Sequence, residues 1–221
     1  MDQKMTYAGM AGAVVLASGS VAYGDVVAFA NGLPADIVAD GTTDFDRDVP
    51  VDVDGDGTTD FSFNFRGTPI TPGAYEYQAN IFLDAPSLAT ISGYTGFFVS
   101  YYGTNLASGA SVAGSGLVGQ PTDPIYGSQI ALGSNYGGLA YGGFGTVGSA
   151  TSTGFVGFQL TSGNFGYIEI EVSDAGISFL SGAYDNMGND IAAGAPIPEP
   201  ATASLAILAV GAAATRRGRR N

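Results

Sequence analysis

Cysteine, histidine and tryptophan are all missing from this 221-residue chain, and lysine occurs once, at Lys4. Without cysteine there is no disulfide and no thiolate chemistry. Without cysteine and histidine the usual zinc ligand sets are excluded. A serine or threonine nucleophile needs a base, usually His or Lys, and the body of the chain offers neither. Phosphate-cradling loops need glycines with a cation, and Gly137-Gly138 and Gly142-Gly143 stand in sequence that has none. Bases are scarce altogether. Four of the 7 are arginines at the very end, leaving Arg47 and Arg66 in the middle. Asp2 is the one acid outside residues 25–200, so that span sets 19 acids against 2 bases, a net of −17. Such a surface repels phosphate backbones and attracts cations, which argues against nucleic acid as a partner.

What is present divides into two ends and a body. The first 24 residues read as a signal peptide: Lys4, an apolar run from Met5 to about Ala17, then small residues at Ala22 and Gly24. Cleavage is expected between Gly24 and Asp25, by signal peptidase, although a buried N-terminal helix would give a similar pattern. Residues 196–221 form a second address. Prolines 196, 198 and 200 break any preceding strand. Ala201–Thr215 follows without a charge, and then Arg216, Arg217, Arg219 and Arg220. A helix over 201–215 would span about 22 Å, short of the roughly 30 Å hydrocarbon core, so snorkelling or local thinning would be needed. The positive-inside rule keeps the arginines cytoplasmic and everything upstream outside. With no charged face, the segment fits poorly as a surface amphipathic helix.

Pro198-Glu199-Pro200, the short apolar helix and the terminal arginines resemble the PEP-CTERM sorting tail of Gram-negative bacteria. The resemblance implies a transient inner-membrane anchor, cleavage by an exosortase near Pro-Glu-Pro, and release to the cell envelope or extracellular matrix. It also implies hosts that make exopolysaccharide or biofilm. Gly154–Leu160, Asn164–Ile170, Tyr184 and Ile191-Ala-Ala-Gly194 are similar to a recurring sequence in the cargo of that family. Phe165-Gly166-Tyr167 stands where the family has Tyr-Gly-Trp, and Gly182-Ala183-Tyr184 where it has Trp-Ala-Tyr, so both tryptophans are lost. These residues are expected to pack a core.

Residues 25–195 read as one all-β domain, an antiparallel sandwich or jelly roll, flanked by the signal helix and the transmembrane helix. Phe61, Phe63 and Phe65 alternate with Asp60, Ser62 and Asn64, the pattern of a half-buried strand. Ile168, Ile170 and Val172 alternate likewise with Tyr167, Glu169 and Glu171. Tyr75–Leu83, Gly96–Tyr102, Gly154–Leu160 and Gly176–Leu180 are further strand candidates, separated by Gly, Asn, Ser and Pro clusters. Residues 85–168 carry a single charge, Asp123, yet their scattered Phe, Tyr, Ile and Leu favour strands over disorder.

An acidic repeat occupies residues 36–61. Asp40-Gly-Thr-Thr-Asp-Phe45 recurs as Asp56-Gly-Thr-Thr-Asp-Phe61, and Asp36 matches Asp52 while Val38 stands where Asp54 does. The second copy resembles the first nine positions of an EF-hand-type calcium loop. Asp52, Asp54, Asp56 and Asp60 would supply carboxylates and Thr58 a carbonyl. Position 12 is Phe63, not the bidentate Glu, and a strand follows, so weak, extracellular-range affinity is expected. Asp36, Asp40 and Asp44 make a poorer second loop. The plainer reading is a pair of Asx/Gly turns on a solvated face, but nine aspartates from Asp36 to Asp60 repel one another with only Arg47 and Arg66 nearby.

Two functions of different class remain. One is a non-catalytic structural, adhesive or glycan-binding envelope protein, with Tyr94, Tyr101, Tyr102, Tyr136 and Tyr141 either stacking on sugars or packing the core. The other is a glycan-active enzyme using paired carboxylates, for which Glu76, Glu169 and Glu171 are candidates. Glu169 and Glu171 fit better as the solvent face of one strand.

Overall fold

The computed structural model describes residues 26–71, 74–83, 90–95, 101–118, 129–136, 139–146 and 150–197. The expected signal peptide, the expected cleavage position at Gly24 and Asp25, and the expected sorting tail from Pro198 onward, with its four arginines, lie outside the described residues. Among the described residues no helix is long and apolar enough to cross a membrane.

Among the described residues, thirteen strands form two sheets packed face to face, a sandwich. The first sheet holds β1 (Val26–Ala28), β13 (Gly176–Asp185), β12 (Phe165–Ser173) and β11 (Ser152–Gln159) in that order, with β2 (Ile37–Val38) beside β13. The second holds β3 (Phe45–Val51), β4 (Phe61–Thr71), β5 (Ala74–Phe82) and β9 (Gln129–Tyr136), with β10 (Leu139–Tyr141) beside β9. Between the sheets runs β6 (Thr90–Thr95). Its first residues pair with β11 and with β8 (Leu117–Val118), and its last with β7 (Tyr101–Gly103). Pairing is antiparallel throughout except where β7 lies parallel to β9. The expected strands at Tyr75–Leu83, Gly154–Leu160 and Gly176–Leu180 are β5, β11 and the start of β13. Of the one expected at Gly96–Tyr102, the described part is Tyr101–Tyr102 in β7.

The alternating triplets build the core. Phe61, Phe63 and Phe65 of β4 and Ile168, Ile170 and Val172 of β12 are all fully buried in one cluster. Rings from opposite sheets meet there, Phe61 with Phe158 at 5.3 Å and Phe63 with Phe179 at 4.9 Å between centroids. Each buried phenylalanine contributes roughly 1.5–3 kcal/mol by burial, and each edge-on pair about 0.5–1.5 kcal/mol more. The half-buried reading of β4 needs correction. Ser62 and Asn64, on its outward face, are buried as well. Asn64 Nδ2 donates to Asp46 and Asp48 of β3, both at 2.8 Å, and its Oδ1 accepts from Asn80 of β5. A row of carboxylates and amides across three strands thus occupies a face that alternation alone marks as solvated.

A second cluster lies on the outer side of the first sheet, where Tyr167 and Ala183 pack with Leu106, Val112, Ile191 and Ala193. Backbone hydrogen bonds from Gly109 to Ala193, from Val112 to Ile191 and from Ala193 to Ala110 sew the 106–112 and 191–195 segments together. The Tyr167 hydroxyl donates to the Ala195 carbonyl at 2.5 Å. The Ile-Ala-Ala-Gly segment is therefore a strap of the domain, packed as its apolar residues predict.

Candidate metal centre

The second copy of the acidic repeat becomes the connection between β3 and β4. Val51 pairs with Phe61, and the Asp60 amide donates to the Val51 carbonyl at 2.8 Å, so residues 52–60 close as a hairpin loop. Val53 is fully buried in the core, and its carbonyl accepts from the Ala30 amide at 3.0 Å. That plug turns Asp52 and Asp54, on either side of it, toward the loop's own concavity. Gly55 and Gly57 take φ of 77° and 87°, a left-handed conformation that favours glycine.

Inside the loop the carboxylates are held by backbone amides. Asp52 accepts from Gly55 at 2.8 Å, from Gly57 at 3.1 Å and from the Asn31 side chain at 3.1 Å. Asp60 accepts from the Val53 amide at 2.8 Å. One carboxylate oxygen each from Asp52, Asp54 and Asp60 lie within 4.8 Å of one another. Calcium takes oxygens at 2.3–2.6 Å, so its shell is about 5 Å across and three such oxygens fit around one ion. Asp56 is not in the group; its Oδ1 accepts from the Thr58 amide at 2.7 Å. Burial pushes the Asp60 carboxyl up to about 6, the Val53 amide offsets part of this, and the charges of Asp54, Asp52 and Asp56 add to it. Asp60 thus carries the cost of a desolvated carboxylate surrounded by its own kind.

The first copy takes a different course. Asp40 accepts from the Thr42 and Thr43 amides at 2.8 and 3.0 Å and from the Thr43 hydroxyl at 2.9 Å. These bonds, led by the Thr42 amide, hold its carboxyl down to about 2. Asp36 accepts from the Phe179 amide on β13 at 2.9 Å. Asp44 is exposed. Gly41 has the same left-handed backbone as Gly57, with φ of 68°, so the turn repeats while the carboxylate cluster does not. Among the described residues, Asp52, Asp54 and Asp60 are the group of acids close enough to share an ion.

The carboxylates considered for glycan hydrolysis are divided between the two sheets. Glu169 accepts from Ser181 at 2.7 Å and Glu171 from Thr153 at 3.3 Å, both on the outward side of the first sheet. Glu76 stands on the outward side of the second, next to inward-facing Tyr77. Of the tyrosines, Tyr136 and Tyr141 are 70% and 43% exposed, and Tyr102 is half-buried. The side chains of Tyr94 and Tyr101 lie outside the described ones. Asn31, whose amide steadies Asp52, is a contributor that no spacing pattern marks. Searched against protein-family models, curated proteins and solved structures, the chain matches none.

Proposed function

We propose that this chain is an exported, non-catalytic envelope or matrix protein whose β-sandwich is stabilised by calcium in the Asp52–Asp60 loop and contacts exopolysaccharide. The convergence of the Asp52, Asp54 and Asp60 carboxylates in a hairpin loop carries the reading. Asp52 and Asp60 are pre-aligned by amide hydrogen bonds and Asp54 stands beside them, so a hard cation would find its ligands without refolding the loop. The Thr58 carbonyl and water complete the shell in this proposal. The acidic surface raises the local concentration of cations around it. Signal peptidase and an exosortase act on the two ends, and the 201–215 helix is the transient inner-membrane anchor. The tail's resemblance and the net of −17 in residues 25–200 support this route and location. Glu76 stands on the other sheet from Glu169 and Glu171, and those two each accept from a hydroxyl on a neighbouring strand, which favours binding over hydrolysis.

Thermal melting in rising calcium tests the reading. The midpoint should climb with concentration as mass action requires. Magnesium should do less, because its tighter octahedral shell gives up water reluctantly. Asp54→Ala should remove most of the gain, and Asp174→Ala, outside the repeat, should leave it. Equal stabilisation by sodium chloride at matched ionic strength would reduce the loop to an acidic turn.

A further inference from the structure

We propose that the open end of the second sheet's outward face is a binding strip for a neutral polysaccharide, with Tyr136 and Tyr141 as stacking platforms and Gln78 and Arg66 as hydrogen-bonding groups. The inference rests on the glycan-contacting part of the function proposed above and gives it a place. Strand register assembles the strip. Asp46 of β3 is paired with Arg66 of β4, Arg66 with Gln78 of β5, Gln78 with Ser134 of β9, and Ser134 with Tyr141 of β10. Their chain neighbours Phe65 and Tyr77 face the core, so by alternation this rung faces out. Five strands at the usual spacing make it about 19 Å long. One rung further along, Thr68 is paired with Glu76 and Tyr136 with Leu139.

The exposure is local. Tyr136, Leu139 and Tyr141 are 70%, 60% and 43% exposed, whereas Ser62, Asn64 and Asn80, on the same face, are buried. Large apolar groups thus stand in water beside the exposed polar residues Asp46, Arg66 and Thr68 of the same face. A pyranose ring has an apolar C–H side that lies flat on an aromatic ring, and hydroxyls that planar amide and guanidinium groups can bond. Rings beside a rung of Gln, Arg and Ser offer both in one plane. Asp46, Asp48 and Glu76 on this face, and the acidic chain as a whole, disfavour a polyanion. A protein partner would prefer a charge-depleted aromatic centre. Here the Arg66–Asp46 ion pair, 2.8 Å long and half-exposed, shares the rung with Tyr141.

Affinity electrophoresis of the full-length protein tests this, in gels carrying hydroxyethyl cellulose, galactomannan, dextran or the polyanion alginate. Retardation is expected in at least one neutral gel. Substituting Tyr136→Ala and Tyr141→Ala together should weaken it by about tenfold, the scale of lost ring stacking. Tyr136→Phe with Tyr141→Phe should retain it, as should Thr153→Ala on the other sheet. The melting temperature should be unchanged in each variant, since these side chains are exposed. If the alanine pair is retarded as strongly as the parent, the site is overturned while glycan contact stands. Retardation in alginate alone overturns the neutral-sugar assignment. No retardation in any gel overturns both the strip and the glycan part of the proposed function. Should that outcome come with self-association that the alanine pair abolishes in sedimentation, the face is a protein contact.

Discussion

Asp60 offers a perturbation whose effect should change sign with calcium. Its carboxyl is raised from 3.8 to about 6, chiefly by burial. An acid raised on folding keeps its proton in the folded state while the unfolded chain has already released it. Stability of the metal-free protein therefore falls as pH climbs from about 4 to about 6, and is flat above that window. At neutral pH the shift corresponds to about 3 kcal/mol of lost stability. Asp60→Asn keeps an oxygen to accept the Val53 amide and removes the charge. Without calcium at pH 7 it should stabilise the fold by up to about 3 kcal/mol, or about 6–12 °C for a domain of this size. Its stability should no longer decline between pH 4 and 6.

With calcium at saturation the ranking should reverse. In the proposed site the ion would neutralise Asp60 together with Asp52 and Asp54, and the asparagine variant would lose one of three anionic ligands. Differential scanning calorimetry of both proteins at pH 4, 5, 6 and 7, each with EGTA and with calcium, reads out every term. If Asp60→Asn destabilises the protein by the same amount with and without calcium, Asp60 serves only as the acceptor for Val53, and the argument fails.

Three further outcomes follow from single contacts. In Gly55→Ala the new Cβ would stand 2.6 Å from Ala30 Cβ at φ of 77°, whereas in Gly57→Ala it would meet open space at φ of 87°; denaturant melts should show Gly57→Ala costing about 1 kcal/mol and Gly55→Ala clearly more. Phe63→Ala empties a fully buried site between Phe61 and Phe179 and should cost about 3–5 kcal/mol by urea unfolding. Tyr167→Phe removes the hydroxyl that holds the Ala195 carbonyl; it should cost about 1 kcal/mol and speed hydrogen exchange at the Ala193 and Ala195 amides while those of β11 and β12 stay protected.

The strands that alternation makes legible are those with one row against the core. Phe61, Phe63 and Phe65 and then Ile168, Ile170 and Val172 announce β4 and β12 because each carries three apolar side chains at period two. What the same pattern hides is the fate of the opposite row. Asn64 is buried with partners 16 and 18 residues away on the neighbouring strand β3, Asp48 and Asp46, and no local window contains that information. Tyr167 is another instance. By parity it belongs with Glu169 and Glu171 on the solvent side, yet a strap from residues 191–195 covers it. Alternation tells which side a residue faces; tertiary structure decides what lies there.

The acidic repeat makes the same division sharper, because its two copies share six identical residues and end differently. Both reproduce the left-handed glycine, Gly41 and Gly57, and both place an Asp before it that bonds its own turn. Those are local matters, and sequence identity carries them. The cluster is not local. Residues 52–60 join β3 to β4, which are hydrogen-bonded neighbours, so Val51 and Phe61 pair and draw Asp52 and Asp60 together. The first copy leaves β2, which pairs with β13 in the first sheet, and enters β3 in the second. Its ends are pulled to opposite layers of the sandwich, stacked sheets being about 10 Å apart, and Asp36 is taken up by the Phe179 amide. Val38 in place of Asp54 is thus the lesser of two reasons why Asp36, Asp40 and Asp44 stay apart. The greater is that a loop spanning two sheets has its ends drawn apart, whereas the pairing that closes a hairpin brings its first and last carboxylates together.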